Sequence, residues 1–508
     1  MTAMRLRRFR RTRPAPLLLG LALAPLLTGC FASAGEEGGE TAGKSGSRLR
    51  VALAFPPAEN LSPYGADATI LSRLGVTEGL TSLDANGSAA PALARSWQRE
   101  SDRSWLFTLR EATFQDGTDV TPARVAAALT HATEVKPAPA ALSGVTLTAE
   151  PAGGDRVRVT TNSPDPVLPL RLAGPALAVL SPKAYVNAKG RVDPVGTATG
   201  PFELTKVTGS TAATLDRYDD YWGRLAHASG IDARFIADGT ARTNALRTGQ
   251  VDIAEAIPVA QAATLKTDTR RETATTRTTS LQLNTGTGPF KDPKLRAAAR
   301  GAVDTGALAK GVYEGHADAG TGIYGPAVTW AAGQRDRPVG RAKAAVPDGT
   351  SITLATYDNR PELPEAAQVL KQQLERAGFR VELEVREYSR IESDALAGKF
   401  DAVVAARNTL VDTGDPVAVL ASDYTCDGGY NLALLCDRSV DRAVVKAEAA
   451  ADTSARRRAA MAAEAEILGT DAVVPLVHQR VVTGVGSSVE GVLLDPYERT
   501  LIGTGTRR

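Results

Sequence analysis

The stretch SITLATYDNRPELPEAAQVLKQQLERAGFRVELEVR, residues 351–386, decides the fold class. Ile352, Leu354 and Thr356 alternate along its start, the two-residue period of a strand. From about Leu363 the period lengthens. Ala366, Val369, Leu370 and Leu374 recur at helical spacing, and Gly378 stands where a helix places its C′ residue. Val381, Leu383 and Val385 then alternate as a second strand. Strand, helix and strand at this spacing predict a parallel pair with a right-handed crossover, and hence an α/β protein. The run at 400–406, dominated by small apolar residues, reads as a buried strand.

Outward from this unit the same mixed pattern continues. Val51, Leu53 and Phe55 alternate, as do Trp105, Phe107 and Leu109, and again Val157, Val159 and Thr161. Thr121-Pro122 reads as an N-cap with proline at N1, ahead of Val125, Ala128 and Leu129 at helical spacing. Thr453 or Ser454 is expected to cap an alanine-rich helix that stops at Gly469. With 508 residues the chain exceeds the ~250–300 at which one hydrophobic core stops growing, so two or more lobes are expected.

The amino terminus reads as an address. Residues 1–29 hold six arginines and no acid, and the uncharged apolar run at 16–27 is too short for a bilayer that needs about 20 residues. A basic flank before a short apolar core is a secretory signal, ending in Leu27-Thr28-Gly29-Cys30, which resembles a bacterial lipobox. Arg7-Arg8-Phe9 faintly resembles a twin-arginine signal, so the export route stays open. Cys30 is the expected lipidation site, and 30–48, with little apolar bulk, is the expected tether. Without residues 1–29 the chain has 53 basic against 57 acidic residues, a net charge of −4. A mildly acidic body carries no footprint for nucleic acid. Besides Cys30 only Cys426 and Cys436 remain, which in an oxidising compartment predicts one disulfide, with two free thiols as the alternative.

Several short motifs then occur in one order. They include Thr77-Glu78-Gly79-Leu80, Pro91-Ala92-Leu93-Ala94, Phe114-Gln115-Asp116-Gly117-Thr118, Gly200-Pro201-Phe202, Tyr221-Trp222-Gly223, Leu246-Arg247-Thr248-Gly249-Gln250-Val251-Asp252 and Gly414-Asp415-Pro416. Together they resemble solute-binding protein family 5, the peptide and nickel receptors of ABC importers. The resemblance implies a type II periplasmic-binding-protein-like fold, with two lobes joined by a two-strand hinge. Lobe I would be 49–284 with 485–508 returning to it, and lobe II 285–484. The hinge strands would cross near 280–284 and 481–484. It also implies a monomeric receptor, lipid-anchored at the outer face of the cell membrane, that binds peptides and delivers them to permease subunits. No cofactor is implied.

The resemblance also nominates site residues. Peptide-binding relatives anchor the ligand ammonium on an aspartate three residues before the acidic-Pro pair, here Asp412; a solvated turn aspartate is the plainer reading. Dipeptide relatives grip the carboxylate with an arginine where this chain has Leu363-Pro364-Glu365, leaving Arg360 as the candidate substitute. Thr409 replaces a usual tryptophan. Tyr64, Tyr357 and Tyr388 fall in segments that face the cleft in the family, and Arg407 could meet an anionic group or only a carboxylate. The Cys426–Cys436 pair is placed like a disulfide of dipeptide-binding relatives. Three rival readings stand beside a peptide receptor. One is a nickel or metal-chelate receptor, although no clustered His, Cys or carboxylate ligands appear by spacing. Another is a sensing lipoprotein without a transporter. The third is a hydrolase, for which none of His131, His227, His316 and His478 lies in a catalytic motif.

Overall fold

The computed structural model describes residues 46–508 apart from Pro137, Ser143, residues 186–190 and Asn359. The signal at 1–29, Cys30 and the tether up to residue 45 lie outside the described residues. The unit at 351–386 forms as its periodicity requires. Strand β8 (Ser351–Tyr357) and strand β9 (Arg380–Arg386) pair in parallel, Ser351 opposite Arg380 and Tyr357 opposite Arg386. Helix α2 (Glu362–Arg376) joins them and buries Leu363, Ala366, Leu370 and Leu374. Its end is a Schellman motif: Gly378 takes φ +105° and donates to Glu375 O, while Phe379 N–H reaches Leu374 O. The pattern runs out in β9, where Val385 is exposed, because an edge strand has a neighbour on one side only.

Those strands belong to a sheet of eleven. Its other members are β1 (Arg48–Leu53), β2 (Phe202–Thr208), β3 (Ala212–Arg217), β4 (Gly230–Phe235), β5 (Ile253–Ile257), β6 (Arg270–Leu283), β7 (Ala317–Ala319), β10 (Ala402–Asn408) and β11 (Val473–Val485). The order is β9-β8-β10-β6-β11-β5-β1-β4-β3-β2, with β7 on β11. Two parallel clusters result, β8–β9–β10 and β1–β4–β5. Each has its own core, around Leu354, Leu370 and Val404 in one and Val51, Leu204 and Ile231 in the other. The long antiparallel strands β6 and β11 lie between them. Along β6 the residues Arg270 to Ala274 pair with β11 alone, the register shifts between Ala274 and Thr278, and Arg277 to Leu283 pair with β10.

A separate four-stranded sheet (Ala94–Arg99, Ser104–Leu109, Arg156–Thr161, Leu147–Pro151) packs helix α1 (Pro122–Glu134), whose Thr121 side chain accepts from Arg124 N as a cap. Helix α3 (Pro416–Tyr424) follows the Asp415-Pro416 pair. Helix α4 (Thr453–Gly469) starts one residue before the expected caps. Asp452, whose carboxylate accepts from Ala455 N, is the N-cap, so neither Thr453 nor Ser454 fills that place. Cys426 and Cys436 form a disulfide, Cα atoms 4.3 Å apart. Among the described residues no helix is long and apolar enough to cross a membrane.

Candidate functional site

In open α/β sheets the ligand site lies beyond the carboxyl ends of the parallel strands, where backbone donors and loop side chains converge. Here those ends are Phe55 after β1, Ile257 at the end of β5, Tyr357 and Arg360 after β8, and Arg407 and Asn408 closing β10. The two clusters meet at these ends. Arg360 lies over the Phe55 ring, its Cζ 5.3 Å from the centroid. A shallow recess, open to solvent, is lined by Phe55, Tyr313, Arg360, Glu362 and Gln479 among others.

Arg360 makes no ion pair or side-chain hydrogen bond among the described residues. Its neighbour Glu362 accepts from Gln479 Nε2 at 3.2 Å instead. Burial, and then Arg277, push the Arg360 guanidinium below its ordinary range; arginine nevertheless stays charged at neutral pH. Beside it Arg277 on β6 grips Glu498 with Nε and Nη2, both at 3.1 Å. Asn408 Nδ2 donates to the same carboxylate at 3.1 Å. Burial opposes the charge on Glu498, yet Arg277 and then Arg360 outweigh it and hold this carboxyl at about 2. This end of the site therefore has two cations, Arg360 and Arg277, and two carboxylates, Glu498 paired with Arg277 and Glu362 bonded to the Gln479 amide.

The second cluster has the opposite balance. Arg407 donates from Nη2 to Asp412 at 3.0 Å and from Nε to Asp423 at 3.1 Å. Its Cζ stands 5.1 Å from the Tyr430 ring centroid. Asp423 is buried, and burial raises its carboxyl while Arg407 works against the rise. Asp412 keeps about a third of its side chain exposed (32%), so it still has a face for a ligand. One cation here meets two anions. The tyrosines back this cluster: Tyr388 and Tyr430 join hydroxyls at 2.7 Å, and the Tyr357 and Tyr388 rings meet edge to face at 5.0 Å. Tyr357 itself is buried, its hydroxyl accepting from Ala406 N at 3.0 Å.

Of the nominated residues, Asp412 and Arg407 stand together, Tyr388 borders them through Tyr430, and Arg360 stands at the other end. Tyr64 does not join them. It is buried in the core of the four-stranded sheet, where apolar cover outweighs any gain from reaching the cleft. Sequence reasoning missed Arg277, Asp423, Tyr430 and Glu498. The signals were an arginine inside the threonine-rich strand TTRTTS and the tyrosine within the cysteine loop. Glu498 had none, because its partner Arg277 is 221 positions away. The segment 495–499 ties the two clusters together: Pro496 O accepts from Thr276 N, and Arg499 donates to Ala173 O and Leu410 O. Among the described residues no group of three His, Cys, Asp or Glu could hold a metal ion.

The recess between the two α/β clusters is lined by residues of both. Comparison with known proteins states the class. The family model "Bacterial extracellular solute-binding proteins, family 5 Middle" matches residues 88–431, and the chain belongs to that family. It is the substrate-binding protein of an ABC importer and not an enzyme. Among named relatives, the glutathione-binding protein GsiB of Escherichia coli K12 is 26% identical over 465 residues, covering 86% of this chain and 90% of that protein. NikA from Staphylococcus aureus, solved in complex with Ni(L-His)2, has the same fold: TM-score 0.77, 20% identity, 91% of this chain and 100% of that one. DppA from Helicobacter pylori, solved with the peptide STSA, also matches at TM-score 0.77 and 20% identity, covering 91% and 98%.

Proposed function

We propose that the receptor takes a short zwitterionic peptide between two lobes, its ammonium at Asp412 and its carboxylate at Arg360. The observation that carries this is an accessible carboxylate at Asp412 and, at Arg360, a guanidinium with no ion pair or side-chain hydrogen bond among the described residues. A desolvated ammonium needs a fixed carboxylate, and a desolvated carboxylate a fixed cation, because an unpaired buried charge is costly. Asp412 offers the exposed carboxylate of the Arg407–Asp412–Asp423 chain; Arg360 offers a guanidinium that lies over the Phe55 ring and makes no hydrogen-bonded ion pair among the described residues. Glutathione, the ligand in the name of GsiB, is a peptide with both kinds of group, which makes it a natural first test.

Lobe I is assigned to 49–284 with 485–508, and lobe II to 285–484. Strands β6 and β11 connect them, with the hinge crossings assigned near 280–284 and 481–484; the β6–β11 register shifts just ahead of the first, between Thr279 and Ser280. Ligand must bind the closed arrangement better than the open one, or the permease has nothing to read. Cys30 carries the lipid that keeps the receptor at the membrane, and replacing it with serine should release the protein into the medium. Titration calorimetry of the mature protein tests the ligand class. Saturable binding of di- or tripeptides or glutathione is expected, lost in both Asp412→Ala and Arg360→Ala. Binding of a nickel–histidine chelate alone, with every peptide silent, would contradict the assignment.

A further inference from the structure

We infer that Asp423, buried on α3, sets the specificity of the amine end by neutralising Arg407 and so leaving the charge of Asp412 free for the ligand. The inference rests on the peptide reading above, and Asp423 itself would touch no ligand.

The geometry is a chain of three charges. Arg407 stands between the carboxylates, with Nε on Asp423 at 3.1 Å and Nη2 on Asp412 at 3.0 Å. The Asp423 side chain is 7% exposed and that of Asp412 32%. The inner carboxylate also accepts from the Ser422 hydroxyl, so it is held in place from its own helix. Tyr430 covers one face of the guanidinium. The other nearby cation, Arg499, hydrogen-bonds to the carbonyls of Ala173 and Leu410, and its charge faces Asp495 first and Asp412 second, so a net charge of −1 is that of the three hydrogen-bonded groups alone. Asp412 alone against Arg407 would make a neutral pair with no net pull on an ammonium. Adding Asp423 gives the cluster a net charge of −1, and the accessible member of the cluster is the outer one.

The arrangement gives two substitutions opposite signs. Asp423→Asn leaves Arg407 with Asp412 as its one carboxylate, so the anchor is self-occupied. Arg407→Gln frees both carboxylates. A merely structural role for this cluster would weaken binding in both variants alike.

The test measures the affinities of the full mature protein for dialanine, trialanine and reduced glutathione, each free and N-acetylated, with thermal melts confirming that the variants fold. Asp423→Asn is expected to cut the preference for the free amine by at least about tenfold, the low end of couplings between close charge pairs, with affinity for the acetylated forms within about threefold of wild type. Arg407→Gln is expected to keep or raise that preference. An unchanged preference in Asp423→Asn, or an equal fall in both variants, overturns the inference alone. A wild type indifferent to acetylation, or silent to every peptide, overturns the peptide reading and this role with it.

Discussion

The two ends of the cleft solve the same problem in opposite ways. At Arg360 a cation makes no ion pair or side-chain hydrogen bond among the described residues, while the carboxylates it faces, Glu362 and Glu498, bond to Gln479 and Arg277. At Asp412 a carboxylate shares its cation with a second, deeper carboxylate. The first site waits for a partner; the second keeps a spare charge inside a completed network. An empty charge is the simpler device but costs more when the lobes close without ligand. A shared charge is cheaper to keep, and it depends on residues the ligand never meets.

Several measurements would break or sharpen that contrast. Asp412→Ala should weaken binding of a free-amine peptide by roughly 2–5 kcal/mol, the range for truncating one member of a desolvated charge pair. Unchanged calorimetric affinity would remove the amine anchor. Acid should also act on the strand between the ends. His478 on β11 is buried, bonded to Thr278 Oγ1 at 2.9 Å and near Thr321 N, and burial and then Arg335 lower it to about 4. Its folded value lies below the unfolded ~6.5, so the unfolded state binds more protons between those values. Stability is therefore complete above about pH 6.5 and falls as pH drops toward 4, by up to about 3 kcal/mol. Urea unfolding at pH 7 and 4.5 should show the loss in wild type and not in His478→Gln.

Arg360→Ala should cost roughly 1.5–3 kcal/mol for a peptide with a free carboxylate, the value of a charge-assisted contact. The same peptide as an amide should bind wild type and variant alike in calorimetry. Tyr388→Phe is expected to show the smallest effect, about 1 kcal/mol, by losing the hydroxyl contact to Tyr430. A larger loss would mean that Tyr388 touches the ligand directly.

The contrast also explains what could be read from the chain. Periodicity sufficed for β8, α2 and β9, because burial on one face writes itself into spacing. It faded at Val385, where edge position and not pattern sets exposure. Helix α4 was legible except for its cap: Asp452, Thr453 and Ser454 can all accept from the first turn, and only the backbone path selects the first. In the proposed site, Asp412 was nominated through its place before Asp415-Pro416, and its bond to Arg407 was not foreseen. The inner partner of Asp412 was not nominated, since Asp423 sits in the last turn of α3 beside Ser422, and only the packing of α3 turns it toward Arg407. Glu498 depends on a segment without regular structure and a residue at φ +57°, a conformation few side chains adopt and no local pattern announces.

The most direct measurement is a calorimetric titration of the wild-type protein with one dipeptide in four forms: free, N-acetylated, amidated and blocked at both ends. Two separate poles predict that each single block weakens binding and that the double block weakens it by nearly the sum. Equal affinity for all four forms would show that the cleft reads neither charge, and would contradict the account.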